Sequence, residues 1–160
     1  MSRIEESVQN YRLLPVNKWH WDSWKGFYSE LQKKLKDGNW DYVPQKNGGF
    51  LGYWWYWNRS KYNDTEYEYY LQLEHEKLCF KLYPFKSENA RQIRDYYRSK
   101  LYPKAREHGI KIYQNGRIGQ WMTVAALSNP YIQTDKDGML DLERTITMIE
   151  KIQNMIYEIK

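Results

Sequence analysis

The sequence predicts an α+β fold of two layers, in which a mainly antiparallel five-stranded sheet has helices packed on one face. The clearest evidence is the alternation of apolar and polar residues over Glu66–Glu74, which is typical of a strand with one buried face and one wet face. The pair Asn115-Gly116 between two apolar runs is a strong hairpin signal. Helical stripes before, between and after the strands complete the order α-α-β-β-β-α-β-β-α.

Two helices are predicted at the N-terminal end. The first covers Ser2–Tyr11, where Ser2 and Glu5 have the spacing of a capping box. Leu14-Pro15 interrupts the helical pattern, and Asn17 is predicted to cap a second helix that ends near Lys36. The apolar residues of this second helix recur at helical spacing, at Trp21, Trp24, Tyr28, Leu31 and Leu35.

Three strands are predicted in the middle of the chain. Phe50–Trp57 is rich in bulky aromatic residues, which favours a strand with aromatic side chains on both faces. The strand Glu66–Glu74 and its partner Leu78–Leu82 are expected to place one set of side chains beneath the helices, namely Leu71, Leu73, Phe80 and Leu82. Glu66, Glu68 and Gln72 are expected on the opposite, wetter face, because a one-residue slip would bury the carboxylates.

The last third of the chain predicts a helix, a hairpin and a final helix. Ser87 is expected to cap the first of these helices, and Pro103 is expected to break or kink it near Tyr102. The hairpin pairs Ile110–Tyr113 with Arg117–Leu127. The core-facing residues of the first helix are Ala90, Ile93, Tyr97, Leu101 and Ala105. Asp141 caps the final helix, whose core-facing residues are Leu142, Ile146, Ile149, Ile152 and Ile156.

Length and composition limit the class of protein. The 160 residues fit one α+β domain over 1–160, with residues 1–14 as an N-terminal helical extension. An aromatic content of 18% excludes a disordered chain.

The sequence has no apolar run long enough for a membrane span and no signal peptide, so we expect a cytoplasmic protein without a membrane partner. A single cysteine, Cys79, excludes a disulfide framework and a cysteine-built zinc site, and we predict no cofactor.

The tryptophans are numerous for a chain of this length, with 8 in total. They admit two interpretations, a core filled with bulky rings or a platform on which nucleic-acid bases stack. The sequence favours the core, because the predicted central strands lack the aromatic pair typical of sheet-type RNA-binding domains.

A second candidate binding surface is the helix that follows Ser87. Arg91, Arg94 and Arg98 are spaced three and four residues apart, so they are predicted to share one helical face, with Lys100 and Lys104 nearby. Arginine forks suit phosphates, which would make this face a contact for nucleic acid. The alternative is that this face is only solvated and its arginines pair with acidic neighbours. The sequence does not decide between nucleic acid and a protein as the binding partner.

Two segments carry a resemblance to a known family. Tyr69-Tyr70-Leu71-Gln72-Leu73-Glu74 with Leu78-Cys79-Phe80-Lys81-Leu82, and Gly116-Arg117-Ile118-Gly119-Gln120-Trp121-Met122-Thr123-Val124-Ala125, resemble the C-terminal domain of some bacterial PD-(D/E)XK nuclease superfamily proteins. The resemblance implies a role in DNA handling or in defence against foreign DNA. It does not extend to the active site, because the strand pair has Glu74-His75-Glu76-Lys77 where such nucleases have Glu-x-Lys.

The sequence therefore predicts a non-catalytic binding domain or subunit that contacts a protein or nucleic-acid phosphates. The alternative is a metal-dependent nuclease with a divergent site built from Glu66, Glu68, Glu74 and Lys81, which would require Mg²⁺. A further alternative, from the order of helices and strands, is a small chaperone or an immunity-type inhibitor protein.

Overall fold

The computed structural model describes residues 11–44 and 48–159. The predicted helix Ser2–Tyr11 lies outside this part of the chain except for its last residue. The helices described are α1 (Trp21–Lys34), α2 (Ala90–Glu107) and α3 (Leu142–Tyr157). The strands are β1 (Asn39–Val43), β2 (Phe50–Tyr62), β3 (Thr65–Glu74), β4 (Lys77–Pro84), β5 (Ile112–Gln114) and β6 (Met122–Leu127).

The predicted α+β class with an antiparallel sheet is confirmed, although the sheet has six strands and not five. They lie in the order β1-β2-β3-β4-β6-β5, and each neighbouring pair is antiparallel. The additional strand, β1, pairs along the edge of β2. It escaped sequence analysis because its residues are exposed or half-buried, so no apolar alternation marks it.

The core lies between one sheet face and the three helices. As predicted, Leu71, Leu73, Phe80 and Leu82 are buried there. Gln72 lies on the opposite face, as the alternation requires, yet only 4% of it is exposed. That face, which we call the open face, is therefore partly covered by its own side chains.

Several element boundaries differ from the predictions, and the strand expected over Phe50–Trp57 continues to Tyr62. The helix expected from Asn17 begins at Trp21, after a 3-10 turn over Val16–Lys18. A second 3-10 turn, Ser87–Asn89, precedes α2, which then continues through Pro103 to Glu107 without a break. The strand expected from Arg117 begins at Met122, because residues 115–121 form a wide loop. Gly116 has a φ of +89° in this loop, and a Cβ there would lie 2.1 Å from the Thr123 carbonyl oxygen.

The hairpin between β3 and β4 turns through His75-Glu76, with His75 at a φ of 55°. Its geometry is stabilised by contacts to the rest of the fold. The His75 N–H donates to Tyr28 Oη at 3.0 Å, and the Tyr131 hydroxyl donates to the His75 carbonyl at 2.6 Å. The Leu51 N–H donates to His75 Nε2 at 3.2 Å, and the imidazole stacks on Trp24. An imidazole that accepts at Nε2 must be neutral there.

We expect the free energy of unfolding to fall as the pH drops below about 6.5, the usual pKa of histidine. Burial lowers the pKa of His75, so between that lowered value and about 6.5 the unfolded chain binds the proton more readily than the folded one. Urea unfolding across this pH range measures the effect. The variant His75→Gln is the reference, and a pH dependence identical to that of the wild type would contradict this role of His75.

Among the described residues, no helix combines the length and the apolar character needed to cross a membrane.

Candidate functional site

A continuous series of aromatic rings crosses the open face of the sheet. Trp57 stacks on Tyr70 with ring centroids 3.9 Å apart, and Tyr83 stacks on Trp121 at 4.1 Å. Tyr70 and Trp121 meet edge to face at 6.4 Å, and Phe85 extends the series from Tyr83 at 5.6 Å. We call these five side chains the aromatic row. Trp57, Phe85 and Trp121 are 43%, 37% and 55% exposed, so the row presents ring surface to solvent.

A β-bulge places Trp57 in this row. The register between β2 and β3 shifts between Trp55 and Asn58, and Tyr56 adopts a φ of 64°. In an uninterrupted strand Trp55 and Trp57 would lie on the same face, since side chains alternate. The extra residue separates them, so Trp55 is 1% exposed in the core while Trp57 lies on the open face.

The row borders a cleft of about 460 Å³ on the open face. Its aromatic walls include Trp54, Trp57 and Trp121, and Val43 and Phe50 close one end. Its polar lining consists of Gln72, Glu74 and Lys81. Such a cleft, apolar at the walls with a few convergent polar groups, is typical of a ligand site.

A chain of hydrogen bonds fixes the polar groups at one side of the cleft. The Trp54 indole N–H donates to Gln72 Oε1, and Gln72 Nε2 donates to Glu74 Oε1 at 2.8 Å. The second carboxylate oxygen, Glu74 Oε2, lies 4.0 Å from Lys77 Nζ. The indole can only donate, so it determines which end of the Gln72 amide faces Glu74.

Lys81 occupies the floor of the cleft, where it is 7% exposed. Its Nζ donates to the Trp121 carbonyl oxygen and to Thr123 Oγ1, each at 3.1 Å. Burial lowers the pKa of Lys81 below its usual value. These two bonds attach the backbone at Trp121 to the central strand β4, so Lys81 also positions one end of the aromatic row.

The predicted basic face of α2 is divided by the structure. Arg91 and Lys100 are exposed, whereas Arg94 pairs with Asp95 at 3.1 Å and Lys104 pairs with Glu107 at 3.2 Å. Arg98 does not share this exposed surface, because it is 7% exposed. The helix lies on the helical side of the sheet, so none of these cations faces the cleft.

Arg98 has a structural partner instead. Its Nε donates to the Val124 carbonyl oxygen at 3.0 Å, where the register between β4 and β6 shifts. A shifted register disrupts the ladder of backbone hydrogen bonds, and a buried carbonyl there needs another donor. Sequence spacing could not reveal this contact, since Val124 follows Arg98 by 26 positions.

The residues named for a divergent nuclease site are spread along β3. Glu66 is exposed, and Glu68 pairs with Arg59 at 3.3 Å. Glu66 and Glu74 are separated by about 27 Å along a strand that rises about 3.4 Å per residue. Glu74 and Lys81 both line the cleft, but the more distant carboxylates cannot bind one metal ion with Glu74. Within the described residues, no group of three acidic, histidine or cysteine side chains could hold a metal ion.

The aromatic row was not predicted from the sequence, although part of its signal was present. Tyr70 and Tyr83 occupy polar-face positions of β3 and β4, where charged or small residues would be ordinary. Trp121 gave no such signal, because it precedes its strand. The tryptophans therefore do not all have the same environment. Trp24 and Trp55 are buried in the core, while Trp57 and Trp121 lie on the open face.

Comparison with known proteins adds no functional assignment to this geometry. The chain matches no family model, no curated protein and no solved structure. The resemblance to PD-(D/E)XK-associated domains therefore stays a prediction. The aromatic row, the cleft and Lys81 are the features from which a function must be inferred.

Proposed function

We propose that this protein is a non-catalytic domain that binds single-stranded nucleic acid on the open face of its sheet. The observation that carries the proposal is the aromatic row, in which each of five rings contacts the next and three rings are partly exposed. Unpaired bases stack on such side chains with little sequence preference, whereas paired bases in a duplex do not offer their faces.

The dimensions of the row support a strand and not a single small ligand. The row runs from β2 across β3 and β4 to the residue before β6. At about 4.8 Å between neighbouring strands, this spans about 15 Å. Successive bases of an extended strand could therefore contact successive rings.

Positive charge beside the row supports a polyanionic ligand. The whole chain has a formal charge of +5. Arg59 lies with its guanidinium carbon 4.7 Å from the Phe85 ring centroid, at one end of the row, and also pairs with Glu68 at 3.3 Å. Lys77 lies 4.0 Å from Glu74, and Arg117 is exposed in the loop that leads to Trp121. Cations in these places can contact phosphates while the bases stack.

The biological setting follows from the sequence resemblance alone. It places the binding domain in bacterial DNA handling or defence, as a subunit that recognises a strand while another protein performs chemistry. The exposed cations of α2, on the far side of the sheet, are then available for a protein partner.

Fluorescence anisotropy with a labelled short oligothymidylate tests the proposal. We expect binding that is tighter than to a duplex, quenches tryptophan fluorescence and weakens between about 50 mM and about 200 mM salt. The double variant Arg91→Ala/Arg94→Ala is the control, because α2 faces away from the row, and it should bind like the wild type. The proposal is wrong if the wild type binds no single strand at the lower salt concentration, or if the α2 variant alone abolishes binding.

A further inference from the structure

The cleft beside the aromatic row has one feature that stacking alone does not require. Its lining includes a carboxylate, Glu74, and an ammonium group, Lys81, within the same 460 Å³. A phosphate would be attracted by Lys81 but repelled by Glu74. A neutral group that offers both donors and an acceptor satisfies both side chains, and nucleobase edges are such groups.

The hydrogen-bond chain from Trp54 leaves Glu74 as a pure acceptor. Because the indole donates to Gln72 Oε1, the Gln72 amide must present its N–H to Glu74, and an ionised carboxylate accepts it. Oε1 accepts this bond and Oε2 lies 4.0 Å from Lys77 Nζ, so each oxygen keeps a lone pair, and the side chain of Glu74 is 23% exposed. The carboxylate is thus held in one orientation with acceptor capacity left toward the cleft.

Lys81 provides the complementary donor. Two of its three N–H groups are directed to the Trp121 carbonyl oxygen and to Thr123 Oγ1. Among the described residues, these two bonds account for its hydrogen bonding and leave one N–H for a ligand. Because the ammonium group is buried and doubly anchored, it has a fixed position on the floor of the cleft.

We infer that this cleft holds one base of the bound strand and selects guanine. The inference rests on the proposed function. Guanine has two adjacent donors, N1–H and the N2 amino group, which match the two oxygens of a carboxylate, and its O6 accepts from an ammonium group. Adenine and cytosine offer a single amino group to Glu74, and thymine offers one N–H between two carbonyl oxygens that the carboxylate repels.

Strands that differ at one base test the selection. We use labelled oligothymidylates that carry one central guanosine, inosine, adenosine or cytidine, and compare them with the unsubstituted strand by anisotropy. Guanosine is expected to bind about 10- to 100-fold more tightly than adenosine, cytidine or thymidine. Inosine lacks only the N2 amino group, so it should lose most of that gain.

The variant Glu74→Gln tests whether the Glu74 carboxylate causes the preference for guanosine. It should lose the preference for guanosine, so that strands with guanosine and inosine bind alike, with circular dichroism as the check that it is folded. Equal wild-type affinity for all strands, inosine bound as tightly as guanosine, or a preference that persists in Glu74→Gln would overturn the inference while leaving strand binding intact. Failure of the wild type to bind any strand would instead remove the proposed function itself.

Discussion

Replacing Trp57 and Trp121 together with alanine is expected to lower the affinity for a single strand by about 100-fold. Each is a stacking surface in the aromatic row, and removing one base–aromatic stack costs about 1–3 kcal/mol. Two such losses total about 2–6 kcal/mol, and at about 1.4 kcal/mol per tenfold change a 100-fold reduction lies within this range. Anisotropy titration with labelled oligothymidylate measures it.

The double variant should remain folded. Both side chains are partly exposed, 43% for Trp57 and 55% for Trp121, so little buried surface is lost. The matched control is Trp21→Ala, since Trp21 is 40% exposed but packs against Tyr42 and His75 on the helical side of the sheet. If the double variant binds as tightly as Trp21→Ala, the aromatic row is not the binding surface.

Replacing Trp55 with alanine is expected to lower the free energy of unfolding by about 3–5 kcal/mol. Trp55 is 1% exposed and packs against Tyr53 with ring centroids 5.5 Å apart. Its indole N–H donates to Gln153 Oε1 at 3.0 Å, which connects β2 to α3. Alanine would leave a large cavity and remove the donor for the Gln153 amide oxygen.

Urea unfolding measures this loss, and a melting temperature lower by about 10 °C is expected with it. The matched control is Trp57→Ala, the same substitution two positions away on the same strand. Because the bulge places Trp57 on the open face, its removal should cost about 1 kcal/mol or less. Equal destabilisation by both substitutions would show that the two tryptophans share one environment, contrary to the bulge.

Local sequence patterns were sufficient for the central part of the fold. The alternation over β3 assigns Leu71 and Leu73 to the core and Tyr70 to the opposite face, because the strand period of two leaves no other arrangement without buried carboxylates. The helical stripe of α2 likewise identifies its buried apolar residues. In α3 the stripe is correct for Ile149, Ile152 and Ile156, whereas Leu142 and Ile146 are half-buried.

The ends of helices and strands were harder to predict where two features of the sequence favoured different structures. Pro103 argued for a break in α2, but the helix continues through it because its apolar stripe, from Ala90 to Ala105, packs into the core on both sides. The edge strand β1 had no apolar pattern, since its stability derives from backbone pairing with β2.

The candidate site depended on tertiary structure. Trp57 reaches the open face only because a bulge interrupts β2, and nothing in a run of aromatic residues fixes where an extra residue will be accommodated. Trp121 joins the row from a loop, held by Lys81 across 40 positions of sequence. The sequence by itself determined the three described helices, the central strands and which face of β3 is polar. Only the packed fold decided which aromatic rings meet, because those contacts depend on strand register and on hydrogen bonds between distant segments.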